Sequence, residues 1–175
     1  MHIRISKQTD LVLNKTYTTH MAVLMKFVQM TDKPIMELGG GFFSTPLLHW
    51  LCAEKRQKLV TYEDNHDFDG FLRSFVSRTH QIVYVDNWEQ IDLRTNWGVA
   101  FIDHGPIKGM PSEPASRKAS AVRLKDSVDY IILHDTNSQE YYDDEGFWSN
   151  FKYVYTWKWA TPNTSVLSNF KEVSP

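Results

Sequence analysis

PIMELGGGFFSTPLLHWL, residues 34–51, places three consecutive glycines between a short apolar run and a second run with helical spacing. A plain turn needs one glycine or two. Three, with the acidic Glu37 just ahead of them, leave a bare backbone against which something else can lie. PIMEL reads as a strand. Thr45 or Ser44 reads as the N-cap of a helix whose first position is Pro46, with Leu47, Leu48 and Leu51 on its inner face. Gly39, Gly40 and Gly41 then form a strand-to-helix turn at the carboxyl end of a sheet, where open α/β folds bind ligands.

Outward from this turn, strand-like and helix-like segments alternate. Apolar runs at 58–63, 81–86, 97–103 and 129–135 read as strands. Residues 16–30 read as a helix, and residues 115–124 as a weaker one. In HDFDGFLRSFVSRTH, Phe68, Phe71, Leu72, Phe75 and Val76 recur at one helical face. This alternation predicts an α/β domain with a mainly parallel sheet buried on both faces. The end of the chain differs. Residues 151–159 and 164–173 are both strand-like, and ATPN between them leaves no room for a helix, so these two strands must be antiparallel.

Composition bounds the partners. Of 175 residues, 42% are hydrophobic and 14% aromatic, enough to bury a core, so the chain reads as one domain. The formal charge is −2, which supplies no basic field for nucleic acid. No apolar run reaches the length of a membrane span, and the N-terminal stretch carries charges throughout, so no signal peptide is expected. Cys52 is the single cysteine and reads as a packed side chain. The expectation is a soluble cytoplasmic protein whose partner is a small molecule, with no nucleic acid and no membrane.

The turn admits two ligand classes. A dinucleotide wants a third glycine where this chain has Ser44, which counts against a pyrophosphate. S-adenosylmethionine carries no phosphate, and its sulfonium and ammonium groups favour a nearby carboxylate such as Glu37. An adenosine ligand also wants an acid at the end of the next strand for its ribose hydroxyls. Glu63, in KLVTYEDN, stands there. At the end of the third strand, Asp86 or Asn87 is placed to read an adenine edge and Trp88 to cover its face. The candidate cofactor-binding residues are Glu37, Gly39, Gly40, Gly41, Ser44, Thr45, Glu63, Asp86, Asn87 and Trp88.

Together, ELGGGFFST, the YED after the second strand and the FID at the fourth resemble the class I S-adenosylmethionine-dependent methyltransferases, over about residues 16–173. The pairing of FIDHGP with DYIILHDTN is similar to the small-molecule O-methyltransferase-like branch. The resemblance implies a Rossmann-like seven-stranded sheet of order 3-2-1-4-5-7-6 with helices on both faces and a C-terminal antiparallel hairpin. It implies a single domain over 1–175, with residues 1–33 as an N-terminal helical extension and 34–175 as the core. It adds Asp103 to the cofactor site and implies transfer of a methyl group to a small acceptor, more readily through oxygen than nitrogen. A catalytically silent protein that binds the cofactor or a related adenosine metabolite is the alternative.

Asp103-His104 and His134-Asp135 end neighbouring strands and are expected to converge beside the methyl group. His104 is the first choice for a general base and His134 the second, with Asp135 beside it. His2, His20, His49, His66 and His80 read as structural or exposed. A metal-dependent reading, with Mg2+ on Asp103 and Asp135, is not favoured, because Thr136 stands where an amide oxygen is wanted. Arg117 either clamps an acidic substrate or pairs with Asp135. Residues 109–120 read as a mobile loop leading into the short helix. Tyr141, Tyr142, Phe147 and Trp148 form either an aromatic substrate wall or ordinary packing, the latter preferred. A cap over the substrate must come from residues 1–20, from 104–114, or from a second copy in a homodimer.

Overall fold

The computed structural model describes residues 15–106, 112–137 and 144–174. Tyr141 and Tyr142, residues 107–111 of the 104–114 cap and residues 1–14 lie outside them. A 3-10 turn at Lys15–Thr18 leads into α1 (Met21–Gln29), followed by β1 (Ile35–Leu38), α2 (Ser44–Glu54) and β2 (Leu59–Glu63). A short helix, α3 (Asp69–Leu72), precedes β3 (His80–Tyr84) and β4 (Trp97–Ile102). Then come α4 (Glu113–Leu124), β5 (Val128–His134), α5 (Glu145–Trp148), β6 (Tyr153–Trp157) and β7 (Thr164–Ser168).

The seven strands form one sheet in the order β3-β2-β1-β4-β5-β7-β6. β1 pairs in parallel with β2 and β4, and β3 and β5 extend the sheet in parallel on either side. β7 runs antiparallel to both β5 and β6. The expected sheet order and closing hairpin are both present. The four residues of β1 and the seven of β5 are all buried, as a sheet covered on both faces requires.

Alternation along the central strands divides the core in two. Ala100 and Ile102 of β4 and Ile131 and Leu133 of β5 join Leu124 of α4 and Phe151 on one face. Val99, Phe101, Tyr130 and Ile132 face the other way, where Val23, Leu24, Phe27 and Val28 of α1 and Leu48 and Cys52 of α2 cover them. Burial pushes the Cys52 thiol up to about 12, which keeps it protonated and inert, as packing implied.

Two local expectations are corrected. The aromatic stretch 66–76 is no continuous helix. It breaks into a 3-10 turn at His66–Phe68, the four-residue α3 and another 3-10 turn at Arg73–Phe75. Its Phe71 and Leu72 turn towards the glycine loop instead of towards the sheet. The start of α2 also differs: Phe43 occupies the cap position and makes no side-chain cap bond. The Thr45 hydroxyl accepts from the Gly41 N–H at 2.9 Å and donates to Glu37 Oε2 at 2.9 Å, stapling the turn to the strand before it.

Candidate functional site

A cavity of about 520 Å³ opens at the carboxyl ends of β1, β4 and β5. Gly40 to Ser44 form one wall. Asp103, His134, Asp135 and Arg117 form another, and Thr16, Tyr17 and His20, leading into α1, close it. The β1 and β4 ends are held together by the Asp103 N–H, which donates to the Leu38 carbonyl at 2.9 Å.

The three glycines do different things. Gly39 has φ +88°, and a Cβ there would lie 2.6 Å from the His104 Cα. Its bareness lets the loop pass the backbone after β4, a packing reason instead of a ligand reason. A Cβ on Gly40 would meet Leu72 Cδ2 at 2.7 Å. The fully buried Leu72 side chain of α3 therefore already rests on that glycine. A Cβ on Gly41 would lie 2.8 Å from Ser44 Oγ. Phe42 packs on Phe68 and Phe71, with ring centroids at 5.5 and 4.6 Å, and with Phe68 it lines the cavity without filling it.

Two buried carboxylates support the loop. Glu37 is fully buried and accepts from Thr61 at 2.6 Å and from Thr45, while its Oε1 has no hydrogen-bond partner among the described residues. Burial pushes its carboxyl up to about 7 against the hydrogen bonds from Thr61, Ser44 and Thr45. Glu63 curls back on the turn. Its Oε2 accepts from the Gly40 N–H at 2.6 Å, and its Oε1 accepts from the amides of Asp64 and Asn65. Burial raises its pKa despite those bonds. Glu63 is turned inward, and it does not line the cavity.

The adenine-side candidates also lie off the cavity. Asp86 is exposed, and its amide donates to the Gln90 side chain. Asn87 caps the turn at Trp88–Gln90 by accepting from the Glu89 N–H at 2.7 Å. The expectation that Trp88 covers an adenine face is corrected: it is fully buried and stacks on His104 at 4.2 Å.

His104 as a base facing the cleft is corrected as well. It is buried with Nε2 2.9 Å from Ser120 Oγ and Nδ1 against the Gly105 carbonyl. Burial lowers its pKa to about 4. The cavity wall is His134 instead, at the end of β5. Its Nε2 lies 3.1 Å from Thr19 Oγ1, which also stands 3.4 Å from the Thr16 carbonyl. Asp103 is an ionised acceptor, so the His134 hydrogen sits on Nδ1 and Nε2 accepts from the Thr19 hydroxyl. The other nitrogen, Nδ1, faces Asp103 Oδ1 at 3.2 Å and Asp135 Oδ1 at 3.4 Å.

Arg117 of α4 is buried beneath these carboxylates. It reaches Asp135 Oδ2 at 2.9 Å and Asp103 Oδ1 at 3.1 Å, and its Nε donates to the His104 carbonyl. Burial pushes the Asp103 carboxyl up, but the bond and charge of His134 and the charge of Arg117 outweigh it and leave the pKa below the usual range. Asp135 has φ +59°, a left-handed backbone that a non-glycine residue adopts at a cost, as happens at ligand sites.

The sequence reading passed over His20, which it took as structural or exposed. It is 3% exposed, its ring stands edge-on to His134 at 4.6 Å, and neither ring nitrogen has a hydrogen-bond partner among the described residues. Burial, and then the nearby His134, lower its pKa to about 4. A signal was present: His20, Val23, Leu24 and Phe27 share one helical stripe, so the stripe that packs α1 on β4 carries His20 to the end of the sheet. Of the aromatics after β5, Phe147 belongs to the core and Trp148 packs against it, the preferred reading.

No protein-family model matches the sequence, and no curated protein matches it. Solved structures match over most of the chain. The catalytic domain of hMettl16 in complex with the MAT2A 3′UTR hairpin 6 is similar with a TM-score of 0.66 at 10% identity, covering 99% of this chain and 77% of that one. Precorrin-6y C5,15-methyltransferase from Geobacter metallireducens gives 0.59 at 14% identity, with 93% of each chain covered. A putative caffeoyl-CoA O-methyltransferase from Staphylococcus aureus gives 0.58 at 11% identity, covering 83% and 80%. At these identities the likeness is one of architecture: the chain has the Rossmann-like methyltransferase fold.

Proposed function

We propose that the protein is an S-adenosylmethionine-dependent methyltransferase acting on a small molecule through an oxygen. The observation that carries this is the cavity where the bare glycine wall faces Asp103 and His134. S-adenosylmethionine supplies an activated methyl group, to which the acceptor oxygen bonds as the carbon–sulfur bond breaks. The methionine half fits Gly40, Gly41 and Ser44, and Glu37, fully buried off the cavity, supports that wall from behind through Thr45. His134 Nε2, on a ring oriented by the Nδ1–Asp103 bond, takes the proton that the acceptor loses. Tyr17, Phe43 and Pro162 supply apolar walls that hold the acceptor and exclude water. The small acceptor is favoured over RNA, despite the RNA-bound neighbour, because the net charge is −2 and the cavity carries two carboxylates against one guanidinium.

A second reading, cofactor binding without turnover, is favoured by one feature. Leu72 covers Gly40, and the loop amides already engage Glu63, so the adenosyl end is filled by protein side chains. Calorimetric titration with S-adenosylmethionine, followed by assay of S-adenosylhomocysteine with a panel of phenols, carboxylic acids and sugars, separates the two. Binding with product formation that His134→Gln lowers by ~10²-fold or more, at unchanged cofactor affinity, is the expected result. Binding without turnover supports the silent reading, and no binding removes both.

A further inference from the structure

We infer that His20, Asp103 and His134 form a binding site for a divalent transition metal of the Zn2+ type. Their donor atoms lie within 4.8 Å of one another across the cavity. Of the three, His20 lacks a partner that a cation supplies.

His20 is a polar ring only 3% exposed, with both nitrogens unpartnered among the described residues. Such burial without a hydrogen bond is costly, and the cost is offset if a ligand takes one lone pair. Burial also keeps the ring neutral, the form that binds metal.

His134 and Asp103 already stand side by side: Nδ1 donates to Asp103 Oδ1 at 3.2 Å, with Asp135 Oδ1 at 3.4 Å. An ion that displaces this one hydrogen takes both atoms as ligands, and His20 beside them is the third.

The geometry accommodates the ion. Donors held at ~2.1 Å from zinc stand ~3.4 Å apart in a tetrahedron. His134 Nδ1 and Asp103 Oδ1 already stand 3.2 Å apart. Closing the set shortens the remaining separations, which lie within 4.8 Å, and His20 is the ring that no hydrogen bond among the described residues holds. Thr19 supplies the outer support at Nε2, where its hydroxyl accepts the His134 hydrogen once Nδ1 binds the ion, as partners of metal-bound imidazoles do. Asp103, Asp135 and Arg117 leave the cavity with a formal charge of −1, favourable to a cation. Two imidazoles and one carboxylate suit zinc or its neighbours and not Mg2+, which prefers oxygen. Three protein ligands leave a position open to the cavity for water or for an ionised oxygen of a bound molecule.

An ion on Nδ1 moves the His134 hydrogen to Nε2, the position that proton uptake uses. The metal form therefore activates an acceptor oxygen by coordination, with His134 as ligand and not base. The site is tested without cofactor or acceptor, so its failure and that of the methyl-transfer reading are distinguishable.

The experiment is calorimetric titration of metal-free protein with Zn2+, with Mg2+ as control, and melting curves with and without Zn2+. Co2+ serves as a spectroscopic probe through its visible absorption. One equivalent of Zn2+ and a raised Tm are expected, with Mg2+ giving neither. His20→Ala and His20→Phe, the second preserving packed volume, are expected to fold and to lose the Zn2+-dependent shift and the Co2+ band. Thr19→Val is expected to weaken Zn2+ binding about 10–100-fold. The closely spaced His49 and His80 provide the internal control, and His49→Ala is expected to leave Zn2+ binding intact. No Zn2+ binding overturns the inference, as does binding retained in both His20 variants, binding lost in His49→Ala, or equal affinity for Mg2+.

Discussion

At Gly39 a single hydrogen decides whether the loop closes. The left-handed φ and the His104 backbone at 2.6 Å act together, and neither neighbour is a flexible side chain that can swing aside. Gly39→Ala is expected to cost about 2–4 kcal/mol in urea unfolding. Gly40→Ala meets only the tip of Leu72 and has ordinary φ, so its cost is expected to stay under ~1 kcal/mol. Equal costs at the two positions disprove this division of roles. Glu37 offers a second test at the same scale. Its carboxyl rises from 4.5 to about 7 on folding, so the folded state holds a proton that the unfolded state has lost. That contribution is fully present below about pH 4.5 and disappears as pH rises through 7. Glu37→Gln, which stays neutral, is expected to gain on the wild type by roughly 2–3 kcal/mol between pH 5 and pH 8. Melting curves at the two pH values check the sign. Glu37 was legible as a candidate from its place before the glycines, but its burial was not. That follows from Thr45 and Thr61, which approach it from α2 and β2.

Among the elements, the segment around α3 controls what the glycine loop can accept. Its aromatic spacing resembled one amphipathic helix, but three short turns replace it, and these turn Leu72 and Phe71 onto Gly40 and Phe42. Periodicity reports which residues want burial, not which neighbour buries them. Leu72→Ala is expected to cost about 2–4 kcal/mol of stability through the cavity it leaves. It is also expected to tighten S-adenosylmethionine binding, since the truncated side chain vacates the approach to Gly40. Calorimetry on the variant measures both the affinity and, with urea unfolding, the trade. Weaker binding means that Leu72 supports the cofactor loop instead of obstructing it. The rest of the element pattern was open to reading from the sequence, because strands buried on both faces are unbroken apolar runs and a four-residue connection forces a hairpin. His104 and His134 show the limit. Each follows an apolar strand beside an aspartate, and sequence distinguishes neither. α4 does so in three dimensions, by presenting Ser120 to His104 and Arg117 to Asp135.

At the scale of the molecule, the sheet separates two cores that share no side chain. Leu24 of α1 lies in one and Ile131 of β5 in the other, with the backbone of the sheet between them. Sites without common partners add in free energy, whereas neighbours couple through the cavities they share. Leu24→Ala is expected to cost about 2–5 kcal/mol and Ile131→Val about 0.5–1.5 kcal/mol, each by removal of packed methyl or methylene groups. The double variant should equal their sum within ~0.5 kcal/mol in urea unfolding. A coupling well above that value means that the central strands shift as α1 repacks. The consequence reaches the cavity, because α1 follows His20 and β5 ends in His134. In a sheet that holds its shape, damage to one core leaves the spacing of those two rings intact. In one that yields, Leu24→Ala alone disturbs them.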